Sequence, residues 1–208
     1  MKNTLIPPRT ISGVLAAVSA ELAETGRVLV TIDGPCASGK TTLASRIAAV
    51  MNCDVIHTDD FVVPHARKTP ERLSVPGGNC DWERLVRDVI APWKNGVAVC
   101  CRKYNCHKDC LEPPEAIVSD RLLILEGTYC NLPAIREYAD VRCFVSAPEA
   151  VRRIRLEQRE TPDSLALFDS RWIPLENAYF NAYGLPDADC IMMVSDGESE
   201  PPPVQITK

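Results

Sequence analysis

The chain has 208 residues, enough for one domain of ordinary size with a full hydrophobic core. Hydrophobic residues make up 46% of the sequence and charged residues 25%, the balance expected of a folded globular protein. Its 23 Lys and Arg against 28 Asp and Glu give a formal net charge of −5, which argues against broad electrostatic binding to nucleic acid or to an anionic membrane.

The beginning of the chain carries no targeting pattern. Its first ten residues, MKNTLIPPRT, contain no continuous apolar stretch followed by a cleavage signal. Further along, no segment approaches the roughly 18 consecutive apolar residues that a membrane-spanning helix needs. We therefore expect a cytoplasmic protein, in which the ten cysteines are reduced thiols rather than a disulfide framework.

The first predicted elements are a helix, a strand and a second helix. A helix is predicted from Thr10 to Glu24, with a capping hydroxyl at its start and Gly26 as its stop. The apolar, β-branched run from Val28 to Ile32 predicts a strand that is buried on both faces. After a glycine-bearing turn, the composition of Thr41 to Met51 is typical of a helix.

The same alternation continues along the chain. Apolar runs predict further strands at residues 54–56, 121–125, 141–145 and 191–194, and helical patterns lie at 82–90 and 148–158. Strands that alternate with helices predict an α/β fold whose parallel sheet is covered by helices on both faces. We expect one domain over residues 1–196, with a long functional loop at 63–80 and a disordered tail from 197 to 208.

The turn after the first strand carries the strongest functional signal. Residues 34–41 read GPCASGKT, a complete GxxxxGK[ST] loop between a predicted strand and a predicted helix. Its glycines permit backbone angles that turn consecutive N–H groups inward around an anion, and the following helix points its positive end at the same anion. The loop predicts ATP or GTP binding, with contacts from Gly34, Ser38, Gly39, Lys40, Thr41 and Thr42.

Two side chains of this loop have predicted roles in chemistry. Lys40 is expected to place its ammonium against the β- and γ-phosphates, and Thr41 to offer its hydroxyl to Mg²⁺. The chain has neither a guanine-reading NKxD motif nor an LSGGQ-like signature. These features favour a small-molecule kinase, with a non-catalytic ATP-binding module as the alternative.

Acidic residues follow two of the predicted strands. Glu126 ends the apolar run Leu122 to Leu125, the form of a Walker-B-like element at the carboxyl end of its strand. We expect it to bind magnesium. Asp59 and Asp60 follow another strand, and in an extended segment only one of them would face the cleft. From the residues alone, either could be the general base toward the acceptor hydroxyl.

Cysteines occur in two further places of interest. Cys36 lies inside the phosphate loop, where positive potential is expected to lower its thiol pKa and make it reactive. A second group lies between residues 100 and 110, but the two CxxC-like pairs of a strong zinc pattern are not present. There we expect partly buried thiols without a metal; the residues are Cys100, Cys101, Cys106, His107 and Cys110.

In its motifs the chain resembles the uridine kinase-like family of P-loop kinases, which also includes pantothenate kinase and phosphoribulokinase. The matching segments keep the family order and are residues 34–42, 57–61 (HTDDF), 76–85 (PGGNCDWERL), 104–106, 125–129 (LEGTY) and 172–176. The resemblance implies a P-loop NTPase fold and transfer of a phosphoryl group from ATP to an alcohol. It also favours Asp59 as the base and places Glu126 at the magnesium site.

The resemblance further implies a lid that closes arginines over the transferred phosphoryl group. Arg152, Arg153, Arg155 and Arg159 occupy the corresponding helix and loop. Their guanidinium groups match phosphoryl oxygens in geometry, but they do not all lie on one helix face. We favour Arg155 and Arg159, which are spaced i, i+4, and expect at least one of the four to be solvated.

The acceptor is less well defined by the sequence. Asp81, Arg102 and Tyr104 resemble substrate-contacting positions of the family, although Asp81 is equally well explained as the N-cap of the following helix and Tyr104 as core packing. Asn105 stands where many relatives carry Asp. We expect a uridine-like nucleoside, with a sugar, a pantothenate-like compound or another vitamin precursor as alternatives, and a homo-oligomer is compatible with the sequence.

Overall fold

A computed structural model describes residues 10–195, whose centre is a sheet of five parallel strands. In chain order these are β1 (Val28–Asp33), β2 (Asp54–His57), β3 (Leu122–Glu126), β4 (Val141–Ser146) and β5 (Ile191–Val194). They lie side by side in the order β2–β3–β1–β4–β5. The predicted strands are confirmed, with bounds that shift by at most one or two residues.

The register of the strands brings several chain segments to one edge of the sheet. Ile32 pairs with Glu126, and His57 pairs with the same Glu126 from the other side. Because all the strands are parallel, the segments that follow β1, β2 and β3 leave the sheet at the same edge. The phosphate loop and the two acidic segments are therefore neighbours, as expected for a ligand site at the carboxyl ends of an open α/β sheet.

Helices cover both faces of this sheet. One face carries α1 (Ile11–Thr25) and α2 (Lys40–Met51), whose apolar side chains pack on β1 and β4. Thr10 caps α1 by accepting from the Gly13 N–H, and Gly26 ends it in a left-handed conformation. The predicted cap and stop of this helix are confirmed.

The other face is covered by later segments of the chain. A continuous helical stretch comprises Trp82–Leu85, a π-helical turn at Val86–Ile90, and Ala91–Lys94, followed later by the short helix Pro133–Arg136. The stretch was predicted as a helix only as far as residue 90. Buried side chains of these helices form the core of this layer with the sheet.

The last helices form one run between β4 and β5. This run contains α3 (Glu149–Arg159), α4 (Pro162–Leu167), a π-helical turn at Phe168–Trp172, and α5 (Ile173–Tyr183). Tyr179 of α5 is fully buried in the core. The run thus links the predicted lid arginines to the body of the protein.

The remaining connections contain short elements. Residues 58–80 hold 3₁₀ turns at Thr58–Asp60 and His65–Arg67 and the short helix Pro70–Ser74, and a bridge between Val62 and Cys80 closes this loop. Two antiparallel pairs follow, which the sequence did not predict. They are Cys100–Cys101 with Glu115–Ala116, and Tyr104–Asn105 with Cys110–Leu111.

Two predictions concern features at or beyond the ends of the described range. The domain boundary at 196 and the tail at 197–208 lie outside the described residues. None of the helices within residues 10–195 combines the length and the hydropathy that a bilayer-spanning segment requires.

Candidate active site

The phosphate loop takes the conformation that its glycines allow. Gly34 and Gly39 have φ angles of 142° and 103°, and a side chain at Gly34 would place its Cβ 2.0 Å from the carbonyl oxygen of Val145. Gly39 caps α2, where its carbonyl accepts the first helical hydrogen bond from Leu43 N at 3.0 Å. The positive end of α2 therefore points into the loop.

Lys40 and Ser38 place polar atoms at the same point. The Lys40 ammonium donates to the carbonyls of Gly34 at 2.8 Å and Pro35 at 2.9 Å, so it is held across the loop. Ser38 is fully buried, and its hydroxyl has no hydrogen-bond partner among residues 10–195. A buried hydroxyl without a partner is costly, and a phosphate oxygen would supply one. The loop thus fits a nucleotide.

Glu126 lies beside the first turn of α2. Its Oε1 accepts from the Thr41 hydroxyl at 3.1 Å and also contacts His57 Nδ1. This hydrogen bond raises the pKa of His57, whereas burial of the ring lowers it. Within the described range, no group of three or more His, Cys, Asp or Glu side chains forms a self-sufficient metal site. One hydroxyl and one carboxylate match Mg²⁺, which takes its other ligands from phosphates and water.

Asp59 and Asp60 diverge because they lie in a 3₁₀ turn, so the expectation of an extended segment is wrong. Asp59 lines the main cavity together with Lys40 and Glu126. Asp59 is exposed to the open cavity, yet desolvation by the surrounding protein raises its pKa, and the Lys40 ammonium opposes that rise. Asp60 lies outside the cavity, 4.0 Å from Lys103 Nζ. Of the two candidate bases, only Asp59 faces the site.

The cavity has a volume of about 690 Å³, which is within the usual range for sites that bind small molecules. The phosphate loop, the segment after β3 and Asp59 line part of it. The rest of the lining includes residues of α3, the π-helical turn at 168–172 and the end of β5. The cavity is therefore lined both by the phosphate loop and by the helix that carries the candidate lid arginines.

The arginines of α3 divide between the cavity and the surface. Arg155 lines the cavity and donates to the Ala37 carbonyl at 3.0 Å. Arg159 also lines the cavity, with its guanidinium 5.9 Å from the ring centre of Phe168. Arg153 instead forms exposed ion pairs with Glu157 and Asp169. The favoured pair faces the cavity, and its closure as a lid stays a prediction.

The three predicted acceptor contacts lie elsewhere. Asp81 is buried between Arg67 at 3.0 Å and Arg84 at 3.3 Å. It is the N-cap residue of the helix that begins at Trp82, as one interpretation predicted, but its side chain makes no capping hydrogen bond. Arg102 donates to the carbonyl oxygens of residues 111 and 112, and the Tyr104 hydroxyl bonds the carboxylate of residue 109. None of the three lines the cavity.

Three polar residues behind the loop were not predicted. Asp33 is fully buried and accepts from Gly34 N at 2.7 Å, Asn131 N at 3.0 Å and the Tyr179 hydroxyl at 2.7 Å. Burial raises its pKa to about 6 against these hydrogen bonds. Its signal in the sequence is the same as that of Glu126: an acid that ends an apolar strand before a glycine. Glu176 and Thr128, described below, lie in segments 172–176 and 125–129 that match the family motifs, which is the signal that could have found them.

The prediction for Cys36 is wrong. The residue is 7% exposed, and burial raises the pKa of its thiol to about 12, with a further rise from Glu176. Lys40 and Arg152 act in the opposite direction and are outweighed. In the second group of cysteines, Cys101 is buried while Cys100, Cys106 and Cys110 are exposed.

Comparison with known proteins agrees with this geometry. The model of the Phosphoribulokinase / Uridine kinase family matches residues 29–163, while no curated protein sequence matches the chain significantly. Among solved structures, a candidate fructose transport system kinase from Silicibacter sp. TM1040 has a TM-score of 0.66 at 22% identity and covers 83% of this chain and 94% of its own.

Two further structures show the same fold. YFH7 from Saccharomyces cerevisiae, a candidate P-loop kinase with a circular permutation, has a TM-score of 0.64 at 12% identity over 90% of this chain and 99% of its own. A candidate uridine kinase from Bacillus stearothermophilus has a TM-score of 0.59 at 18% identity over 86% of this chain and 98% of its own. The chain belongs to the phosphoribulokinase / uridine kinase family and is a small-molecule kinase with a P-loop NTPase fold.

Proposed function

We propose that this kinase transfers the γ-phosphoryl group of ATP, with Mg²⁺, to a hydroxyl of a uridine-like nucleoside. The observation that carries the proposal is the convergence of Lys40, Glu126 and Asp59 on one cavity that Arg155 and Arg159 also line. A phosphate ligand, a metal ligand, a base and two cations are the groups that phosphoryl transfer requires.

Each group has a distinct role in the proposed reaction. The loop amides and Lys40 hold the triphosphate, while Thr41 and Glu126 would hold Mg²⁺, which would supply neutralisation of phosphate charge. Asp59 takes the proton of the acceptor hydroxyl. The hydroxyl oxygen attacks the γ-phosphorus in line as the bond to the β-phosphate oxygen breaks, and ADP leaves. Arg155 and Arg159 stabilise the charge on the transferred group.

The raised pKa of Asp59 supports its role as the base. A carboxylate of higher proton affinity removes a proton from an alcohol more readily, provided that it stays ionised at working pH. Its neighbour Asp60 has the same side chain one position away but lies outside the cavity. The chain therefore offers a matched control for the role of Asp59.

The test compares Asp59→Asn with Asp60→Asn. We expect Asp59→Asn to lower kcat by about 10²- to 10⁴-fold, the usual contribution of a general base, while the Kd for ATP stays within about twofold. Asp60→Asn should keep kcat within a few-fold. Steady-state kinetics and isothermal titration with a non-hydrolysable nucleotide measure both quantities. Equal losses in the two variants, or no loss at position 59, would remove Asp59 from the mechanism.

The acceptor needs its own experiment. ATP consumption, coupled to ADP detection, is measured with a panel of nucleosides, sugars and pantothenate-like alcohols. We expect the largest kcat/KM with a pyrimidine nucleoside and a nucleoside monophosphate as the product. A sugar or another alcohol as the best acceptor would refute the nucleoside assignment and leave the kinase reaction intact, because the fold accepts many alcohols.

A further inference from the structure

Helix α5 presents two polar side chains, one turn apart, to the back of the phosphate loop. Glu176 is 7% exposed, and its Oε2 accepts from the Cys36 N–H at 2.9 Å. Tyr179 donates to Asp33, which in turn accepts from the Gly34 N–H. Since residues three apart share a helix face, α5 holds the first half of the loop at two points.

Glu176 also connects the loop to the segment after β3. Its Oε1 lies 3.0 Å from the Thr128 hydroxyl, which is 3.1 Å from the Gly34 carbonyl. A hydroxyl has one hydrogen, so Thr128 shares it between these two acceptors. One carboxylate thus joins α5, the phosphate loop and the strand end that carries Glu126.

The helical turn that precedes α5 also lines the cavity. The π-helical turn at Phe168–Trp172 leads directly into α5, and both Phe168 and Trp172 line the cavity. The Arg159 guanidinium lies over the ring of Phe168. Residues 162–183 are therefore helical without a break, and Phe168 in this stretch contacts Arg159, which ends α3 before the extended residues 160–161.

We propose that Glu176 is a positioning residue of this kinase: it fixes the Cys36 amide and the Thr128 hydroxyl, and so couples the shape of the phosphate loop to the helical run that carries the cavity arginines. The inference rests on the proposed binding of ATP to the loop. It assigns no contact with substrate to Glu176.

Two effects of this carboxylate on ATP have opposite signs, which makes the proposal testable. As a hydrogen-bond acceptor it organises the loop and strengthens nucleotide binding. As a negative charge on the cavity wall it repels the triphosphate. Glu176→Ala removes both effects, whereas Glu176→Gln keeps an acceptor oxygen and removes only the charge. Under the proposal, the two variants differ.

Cys36 supplies a readout that is independent of turnover. After burial, the largest effects that raise the pKa of its thiol are the charge of Glu176 and a hydrogen bond to Glu176. Removing the carboxylate should lower this pKa and speed alkylation of Cys36. The rate is measured by peptide mapping after timed exposure to iodoacetamide, since the exposed cysteines also react.

The experiment uses the full chain with Glu176→Ala, Glu176→Gln and the exposed control Glu157→Gln. We expect Glu176→Ala to raise the KM for ATP about tenfold or more and leave the KM for the acceptor unchanged, while Glu176→Gln stays within about threefold of wild type. Both variants at 176 should label Cys36 faster, and the control should match wild type. Thermal unfolding checks that each variant is folded.

Several outcomes would overturn the proposal. If both variants bind ATP more tightly, Glu176 acts by charge alone. If both lose thermal stability with an unchanged KM for ATP, its role is only structural. Unchanged labelling of Cys36 would show that the contact does not exist in solution. If the proposed acceptor or base is wrong, this shows in the kcat values of wild type and variants alike. The rate of Cys36 labelling does not depend on turnover and still tests the role of Glu176.

Discussion

Asp33 provides a quantitative prediction, because it is a fully buried carboxyl whose pKa is raised to about 6 from 3.8. One pH unit corresponds to 1.36 kcal/mol, so ionising this group in the folded protein costs about 3 kcal/mol relative to the unfolded chain. The cost persists although three donors surround the carboxylate. Burial therefore outweighs hydrogen bonding at this position.

The sign of the pH dependence follows from which state binds the proton more tightly. Between about pH 4 and pH 6 the folded protein keeps a proton on Asp33 that the unfolded chain has released. Its contribution to stability is therefore full below pH 4 and is lost as the pH rises through 6. The perturbation is Asp33→Asn, which has similar size and does not titrate.

The assay is urea unfolding, followed by tryptophan fluorescence, of wild type and Asp33→Asn from pH 4 to pH 7.5. The difference in unfolding free energy, wild type minus variant, should fall by up to about 3 kcal/mol across this range. Other titrating groups are common to both chains and cancel, and the mismatched hydrogen bonds of Asn add a term without pH dependence. A difference that stays constant with pH would refute a raised pKa at Asp33.

Two further substitutions have matched controls. Gly127→Ala should lower the free energy of unfolding by about 2 to 4 kcal/mol, because φ is +130° and the new Cβ would lie 2.0 Å from a buried threonine hydroxyl. Its control is Gly26→Ala, at φ +75° with no atom within 4 Å of the new Cβ, which should lower the free energy of urea unfolding by only about 1 kcal/mol. Arg84→Ala should lower the free energy of unfolding by about 3 to 5 kcal/mol, because Asp81 is 1% exposed and would keep only Arg67 as its ion-pair partner. Its control is the exposed Arg153→Ala, which should lower it by at most about 1 kcal/mol. Equal losses within either pair, measured as denaturation midpoints, would contradict the reasoning.

The fold and the phosphate loop were predictable because their signals are local. A parallel strand buried on both faces is a continuous apolar run, so β1 and β3 are visible in the sequence. The loop needs glycines at fixed spacing, which no tertiary contact alters. Asp33 was not predicted, although it has the same signal as Glu126: it ends an apolar strand directly before a glycine, and that glycine begins the phosphate motif.

Other features depend on contacts between distant parts of the chain. Glu176 and Cys36 are 140 positions apart, so no local sequence pattern predicts the hydrogen bond between them. The pKa of Cys36 was predicted in the wrong direction because the positive potential of the loop is a local feature, whereas burial of the thiol is set by how the whole protein packs. The family resemblance favoured Asp59 over Asp60, but from the residues alone that choice likewise required the 3₁₀ turn that places them.

The hydrogen bonds around the site divide its carboxylates into two kinds. Asp33, Glu126 and Glu176 each accept hydrogen bonds from main-chain amides or from side chains of the loop and its neighbours. The lone pairs of these three carboxylates are already engaged, so the three are suited to holding atoms in place. Asp59 has no such hydrogen bond within residues 10–195, yet it lines the same cavity and lies within the field of Lys40. Its lone pairs are free to accept the proton of an incoming hydroxyl, which is why replacing it should affect turnover, whereas replacing the other three should affect stability, metal or nucleotide binding.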